Sequence, residues 1–220
     1  MFNVDRFSAA DDFGATCRRL GGRMLSSEKV CRIISTVFDK MLSDYRNSDY
    51  YDQFPSVLSY LKATPESKDL PESEIRLLEQ VFAMHEAGTV PDTRAEVLHR
   101  LHETHRLGIV SNIWSKSDLY LREFERAEIR ELFDVIIFSS DHGHIKPSPY
   151  LFAKAMEAFA VEHSKVVFVG DSLKRDIAGA KAVGLSAVWI DTGIGGKVDM
   201  SIPRPDLVIQ DLRDLLIEKL

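Results

Sequence analysis

The sequence predicts an α/β protein in which a doubly wound parallel sheet, a Rossmann-like core, is joined to a smaller all-helical domain. Two observations predict this class. Up to about residue 88 the apolar positions recur only at helical spacing, whereas beyond Pro91 short apolar runs rich in β-branched residues alternate with helical patterns. A third observation agrees with it: a hydroxyl, an ammonium and a pair of carboxylates each stand just after one of those runs, where ligands bind in such sheets.

A first helix is expected over about residues 6–20, with Phe7, Ala10, Phe13, Cys17 and Leu20 inward and Gly21-Gly22 ending it. The next runs from Val30 through Ile33, Ile34, Val37, Phe38, Met41 and Leu42, capped by Ser26 or Ser27. Pro55 opens a shorter helix, and the polar segment ATPESKDLPESE reads as an exposed connection to a helix carrying Ile75, Leu78, Val81 and Phe82. Residues 1–88 are therefore assigned to the helical domain, with residues 1–5 able to supply the stub of a core strand, and 89–220 to the core.

Past Pro91 a helix with Val97, Leu98 and Leu101 leads into the runs at 107–111, 133–138, 165–170, 186–190 and 206–209, each expected as a strand. Ser115 with Asp118 forms a capping-box pattern, Pro149 opens YLFAKAMEAFA, and KRDIAGAKAV precedes Gly184. Short apolar runs alternating with helices are the signature of a parallel sheet covered on both faces, and a missing middle strand would leave two unpaired ladders that the stub at 1–5 could fill.

Length and composition bound the function. The 220 residues suffice for one full domain plus a smaller one, with 45% hydrophobic and 28% charged residues, as in globular proteins. With 28 basic against 34 acidic side chains the net charge is −6, and no Lys/Arg run offers a nucleic-acid footprint. Cys17 and Cys31 have neither disulfide-framework number nor zinc-ligand spacing, and read as small apolar residues of a reducing compartment. The charged N-terminal segment is no signal peptide and no apolar stretch reaches membrane-span length, so a cytoplasmic protein, monomeric or homodimeric, is expected.

Ser111-Asn112, at the end of the first run, could cap a helix or hold an anion. Lys146, in SSDHGHIKPSP, could be a solvated loop cation, whose removal would leave stability unchanged, or a phosphate ligand. Asp171, which follows Gly170 and precedes Asp176 by five positions, could cap the next helix or bind a cation. His142 and His144 flank Gly143 as a His-x-His pair without a partner cluster, and read as solvated loop residues. Tyr45, Tyr50, Tyr51 and Phe54 are packing residues or a selectivity surface; Trp114 either lines a mouth or is buried.

The order of these groups resembles the haloacid dehalogenase superfamily: VSN at 110–112 is similar to its second motif, IKPSPYLF at 145–152 to its third, and VFVGDSLKRDIAGAKAVGLSAVWI at 167–190 to its fourth. The resemblance spans about Pro91 to Asp191, and the helical segment before it is similar to the family's helical cap. It implies hydrolysis of a small phosphomonoester through an aspartyl phosphate. Ser111 and the Asn112 N–H would hold phosphoryl oxygens and Lys146 would neutralise charge. Asp171 would bind Mg²⁺, and Asp176 would orient Lys146 or a metal-bound water.

The family's first motif, Asp-x-Asp-x-Thr, has no match. Asp5 is the nearest candidate nucleophile, with Phe7 at the acid/base position, as in a dehalogenase-type variant. Two other readings stay open. Met1-Phe2-Asn3 could align just after a motif lying upstream, or the protein could be a non-catalytic phosphate- or partner-binding module on the same fold.

Overall fold

The structure, a computed structural model, describes Phe7, residues 11–193 and residues 202–217; Asp5 and the expected strand stub at 1–5 lie outside the described residues. Four helices come first: α1 (Phe13–Arg19), α2 (Ser27–Arg46), α3 (Val57–Ala63) and α4 (Glu72–Glu86). α1 is shorter than expected because the Asp12 carboxylate accepts from the Ala15 N–H and fixes the helix start. Ser26 caps α2 as expected, and the face Val30, Ile33, Ile34, Val37 and Met41 is buried. α3 is opened by the Ser56 hydroxyl, which accepts from the Ser59 N–H, and not by Pro55. The connection to α4 is not wholly exposed: Thr64 and Ser67 are buried, and their hydroxyls donate to the Tyr60 and Leu61 carbonyls in the last turns of α3. Phe13, Phe82 and their neighbours form one apolar core, onto which Phe7 stacks against Phe38 with centroids 4.3 Å apart.

The remainder alternates α5 (Asp92–His102), β1 (Leu107–Ser111), α6 (Asp118–Arg126), β2 (Phe133–Phe138), α7 (Pro149–Phe159), β3 (Val167–Gly170), α8 (Ala178–Ala182), β4 (Ser186–Ile190) and β5 (Leu207–Ile209). Pro149 opens α7 as predicted, with Ser148 as its cap. The capping box at Ser115 does not form. α6 starts after Ser117 without a side-chain cap, because Ser115 is buried and its N–H is bound by a distant carboxylate. Lys165 belongs to a 3₁₀ turn that precedes β3, and α8 is preceded by a π-helical turn, Leu173–Ile177.

All strand pairs are parallel, as expected of an α/β core, but they form two sheets. β1 pairs with β2 (Ile109 opposite Ile136, Ser111 opposite Phe138); β3 pairs with β4 (Val169 opposite Val188), and β4 with β5 (Trp189 opposite Val208). Among the described residues nothing joins β1 to β3. A cavity of about 930 Å³ opens between those strands, lined by both along their whole length. The apolar runs are consequently less buried than doubly covered strands should be: Val167 of β3 is 36% exposed. Among the described residues no helix is long and apolar enough to cross a membrane.

Candidate active site

The groups singled out in the sequence converge. Ser111, Asn112, Lys146, Asp171 and Asp176 all line the cavity between β1 and β3, around the carboxyl ends of those strands. Ser111 and Asn112 do not cap a helix directly, since a loop separates them from α6.

Lys146 is not a solvated cation. Its side chain is 11% exposed, and Nζ donates to Asp176 Oδ1 at 2.6 Å and to the Val110 carbonyl at 2.9 Å. The ammonium also lies 5.6 Å from the Phe168 ring centroid, so it spans the break from β1 towards β3. Asp176 is 7% exposed, and its second oxygen accepts from the Ser172 N–H at 3.0 Å. Both of its oxygens are thus engaged, holding Lys146 in place. Gly170 permits this: a Cβ there would overlap the Cβ and Cγ of Asp176.

Asp171 is exposed and does not cap the following helix; Ser172 does, its hydroxyl accepting from the Arg175 N–H at 3.2 Å. The Asp171 carbonyl accepts from Trp189 Nε1. Among the described residues its carboxylate has neither ion pair nor hydrogen bond, which leaves it available to a ligand. No group of three metal-ligating side chains occurs among the described residues. Mg²⁺ keeps several waters and commonly takes one or two carboxylates plus a substrate phosphate, so Asp171 fits Mg²⁺ as a shared ligand and not as part of a closed protein cage.

Asn112 does more than present an N–H. Its Oδ1 accepts from the Lys146 N–H at 2.8 Å while its Nδ2 donates to the Lys146 carbonyl at 3.3 Å and to the Tyr45 hydroxyl at 2.9 Å. Arg175 adds a second clamp, donating to the carbonyls of Lys146 and Tyr45 at 2.6 Å each, with its guanidinium 3.5 Å from the Tyr45 ring centroid. Tyr45 therefore joins the helical layer to the site, although the aromatic set around it is also packing: Tyr45, Phe38, Phe54 and Phe82 all contact Trp114. Trp114 is partly buried in that core. Backbone bonds reinforce the contact, from Phe54 N–H to the Gly143 carbonyl at 2.6 Å and from Ile145 N–H to the Tyr51 carbonyl at 2.9 Å.

His144 stacks on Tyr150 with centroids 4.0 Å apart and lies 3.4 Å from Asp52, an arrangement without a metal-ligand cluster. The hydrogen bond from Ser148 and the neighbouring His144 hold the Asp52 carboxyl below its ordinary range.

Sequence reasoning missed Arg175 and Glu86. Arg175 lay unremarked within the fourth motif. Glu86 is fully buried, and its carboxylate accepts the Trp114 and Ser115 N–H groups at 2.7 Å each. The available signal was an acid in the last turn of a helix, against the dipole, which calls for local donors.

The comparisons with known proteins agree with this geometry. The family model for haloacid dehalogenase-like hydrolases matches residues 26–190. The chain is 35% identical over 156 residues to a glyceraldehyde 3-phosphate phosphatase of Pyrococcus abyssi, covering 66% of this chain and 61% of that protein. It is 29% identical over 160 residues to a phosphoserine phosphatase of Thermus thermophilus, covering 63% and 64%. The chain thus spans less than two thirds of these relatives. Among solved structures, a HAD phosphatase from Thermococcus onnurineus superposes with a TM-score of 0.58 at 29% identity, over 93% of this chain and 84% of that one. A 2-haloacid dehalogenase from Pseudomonas syringae pv. Tomato shares the fold, with a TM-score of 0.63 at 23% identity over 98% and 93%. A parallel core with its chemistry at the strand ends, a helical cap, and a family match over most of the length make this chain a member of the haloacid dehalogenase-like hydrolase family.

Proposed function

We propose that the chain binds the phosphoryl group of a small phosphorylated metabolite, and that its chemistry is phosphomonoester hydrolysis. The observation that carries this reading is the Lys146 ammonium, fixed by Asp176 and the Val110 carbonyl at the strand ends, where Ser111 lines the same cavity. A fixed cation beside a hydroxyl favours a compact anion and needs no rearrangement when charge develops. The relatives named above as phosphatases point the same way. Asp171 would hold Mg²⁺, which supplies charge neutralisation when bound. Ser111 and the Asn112 N–H orient phosphoryl oxygens, Asn112 and Arg175 hold the Lys146 backbone, and Asp176 holds its ammonium. The protein is proposed to be cytoplasmic, acting as a monomer or homodimer.

A second reading, non-catalytic phosphate binding, is favoured by one observation. Among the described residues the acids lining the cavity are Asp171 and Asp176, and Asp176 is engaged with Lys146 and Ser172. Hydrolysis through an aspartyl phosphate requires another carboxylate in line with phosphorus. Calorimetry with inorganic phosphate and Mg²⁺, beside p-nitrophenyl phosphate hydrolysis, tests both readings. Phosphate binding weakened in Ser111→Ala, and Mg²⁺ binding lost in Asp171→Asn, are expected. Equal affinities in these variants would overturn the site. Hydrolysis that disappears in Asp5→Asn would assign Asp5 as the nucleophile; binding without turnover would establish the second reading.

A further inference from the structure

We propose that Trp189 is a positioning residue for the cation site: its indole N–H fixes the peptide unit that follows Asp171 and so aims the Asp171 carboxylate. This role rests on the reading that Asp171 holds Mg²⁺, and adds to it the group that orients the ligand.

The parallel ladder between β3 and β4 ends where Gly170 stands opposite Trp189, one residue short of Asp171. Beyond it, the peptide unit between Asp171 and Ser172 is held by side chains at both of its polar atoms. Trp189 Nε1 donates to the Asp171 carbonyl at 3.1 Å, and the Ser172 N–H donates to Asp176 Oδ2 at 3.0 Å. The following unit is fixed as well, since the Ser172 carbonyl accepts from the Asp176 N–H at 2.8 Å. A peptide unit is planar, so bonding its carbonyl and its N–H together opposes the rotation that would swing the Asp171 side chain.

The carboxylate itself is unrestrained. Asp171 is exposed, and the bond it makes is through its carbonyl, so the direction of its side chain comes from the backbone that carries it. Metal ligands are ordinarily aimed by hydrogen bonds one step removed from the ion, and here those bonds fall on the peptide unit.

Trp189 is suited to this task and to no contact with the ligand. It is half-buried, packed against the cluster that contains Phe152, Ile177 and Ala187, and an indole nitrogen can only donate. It is absent from the described residues that line the cavity, so it acts through Asp171. Asp176 differs, because its other oxygen ties the same peptide unit to Lys146. Loss of the indole N–H should therefore impair the cation site and spare phosphate binding at Ser111 and Lys146.

The test compares the full chain with Trp189→Phe, which keeps an aromatic ring and loses the donor, and with Asp171→Asn. Calorimetry with Mg²⁺ alone should show binding about fivefold weaker in Trp189→Phe, the size of one hydrogen bond, and none in Asp171→Asn. Inorganic phosphate without Mg²⁺ should bind Trp189→Phe within about twofold of the unmodified chain. A second measurement leaves position 189 unchanged. In the ¹⁵N-labelled chain the two tryptophans give two indole N–H signals, which Trp114→Phe assigns. That of Trp189 should exchange with deuterium more slowly than a free indole and should move on addition of Mg²⁺. Equal Mg²⁺ affinity of Trp189→Phe and the unmodified chain, with binding lost in Asp171→Asn, would overturn the role of Trp189 and leave the Asp171 reading standing. Mg²⁺ binding that survives in Asp171→Asn, or that the unmodified chain lacks, would overturn both. Equal losses of Mg²⁺ and phosphate affinity would reduce the indole to a brace of the whole site, and a Trp189 signal that exchanges freely or ignores Mg²⁺ would overturn the link from indole to ion.

Discussion

Replacing Lys146 by alanine would strand a carboxylate. Asp176 is 7% exposed and its Oδ1 lies 2.6 Å from Nζ, so the variant retains a buried charge bonded only to the Ser172 N–H. Removing one partner of a buried ion pair costs about 3–5 kcal/mol. The lost bond to the Val110 carbonyl adds to this, while water entering from the cavity returns part of it, which places the expectation at about 3 kcal/mol. Urea unfolding at pH 7, followed by far-ultraviolet circular dichroism, reads it directly. The double variant Lys146→Met with Asp176→Asn should lose less than the sum of the single variants, because no unpaired charge remains. A single-variant loss below about 1 kcal/mol, the range of a surface pair, would refute the claim that the ammonium is structurally held.

Three other outcomes are expected. Gly170→Ala would press Asp176 away from Lys146, costing about 2 kcal/mol in urea unfolding and weakening phosphate binding in calorimetry; full retention of both would show that Asp176 can move aside. Glu86→Ala would leave two N–H groups at Trp114 and Ser115 without acceptors and lower stability by about 2 kcal/mol, whereas Glu86→Gln, which keeps an acceptor oxygen, should recover a good part, as thermal unfolding would show. Burial, reinforced by the hydrogen bond to Asp44, raises the Tyr60 phenol well above its ordinary range. A raised folded-state value contributes stability that is complete below about pH 10, the unfolded tyrosine value, and is lost as pH rises beyond it. Tyr60→Phe should remove that alkaline dependence at a cost of about 1 kcal/mol near neutrality; an unchanged stability profile above pH 10 would contradict it.

The helices and strands were legible because their apolar spacing is strong: the α2 face and the runs of β1, β2 and β4 fall where periodicity puts them. Starts of helices were less legible, since Asp12, Ser56 and Ser172 compete with neighbouring Pro55 and Asp171 for the cap and only geometry decides. Ser111, Lys146, Asp171 and Asp176 could be singled out because ligands of doubly wound sheets bind at the strand ends, and the four line one cavity. What spacing could not reveal was long-range partnership. The ion pair that buries Lys146 joins positions 30 residues apart, and the contact of Arg175 with Tyr45 joins positions 130 apart.

The loop that carries Lys146 is stitched to the helical layer through Tyr51 and Phe54, and pinned by Asn112 and Arg175, both of which also hold Tyr45. Lifting the helices off the core therefore cannot be a passive opening of a door over a finished site. Any displacement of the helices would pull on the backbone that aims the ammonium, so access to the cavity and placement of its charge share one set of contacts.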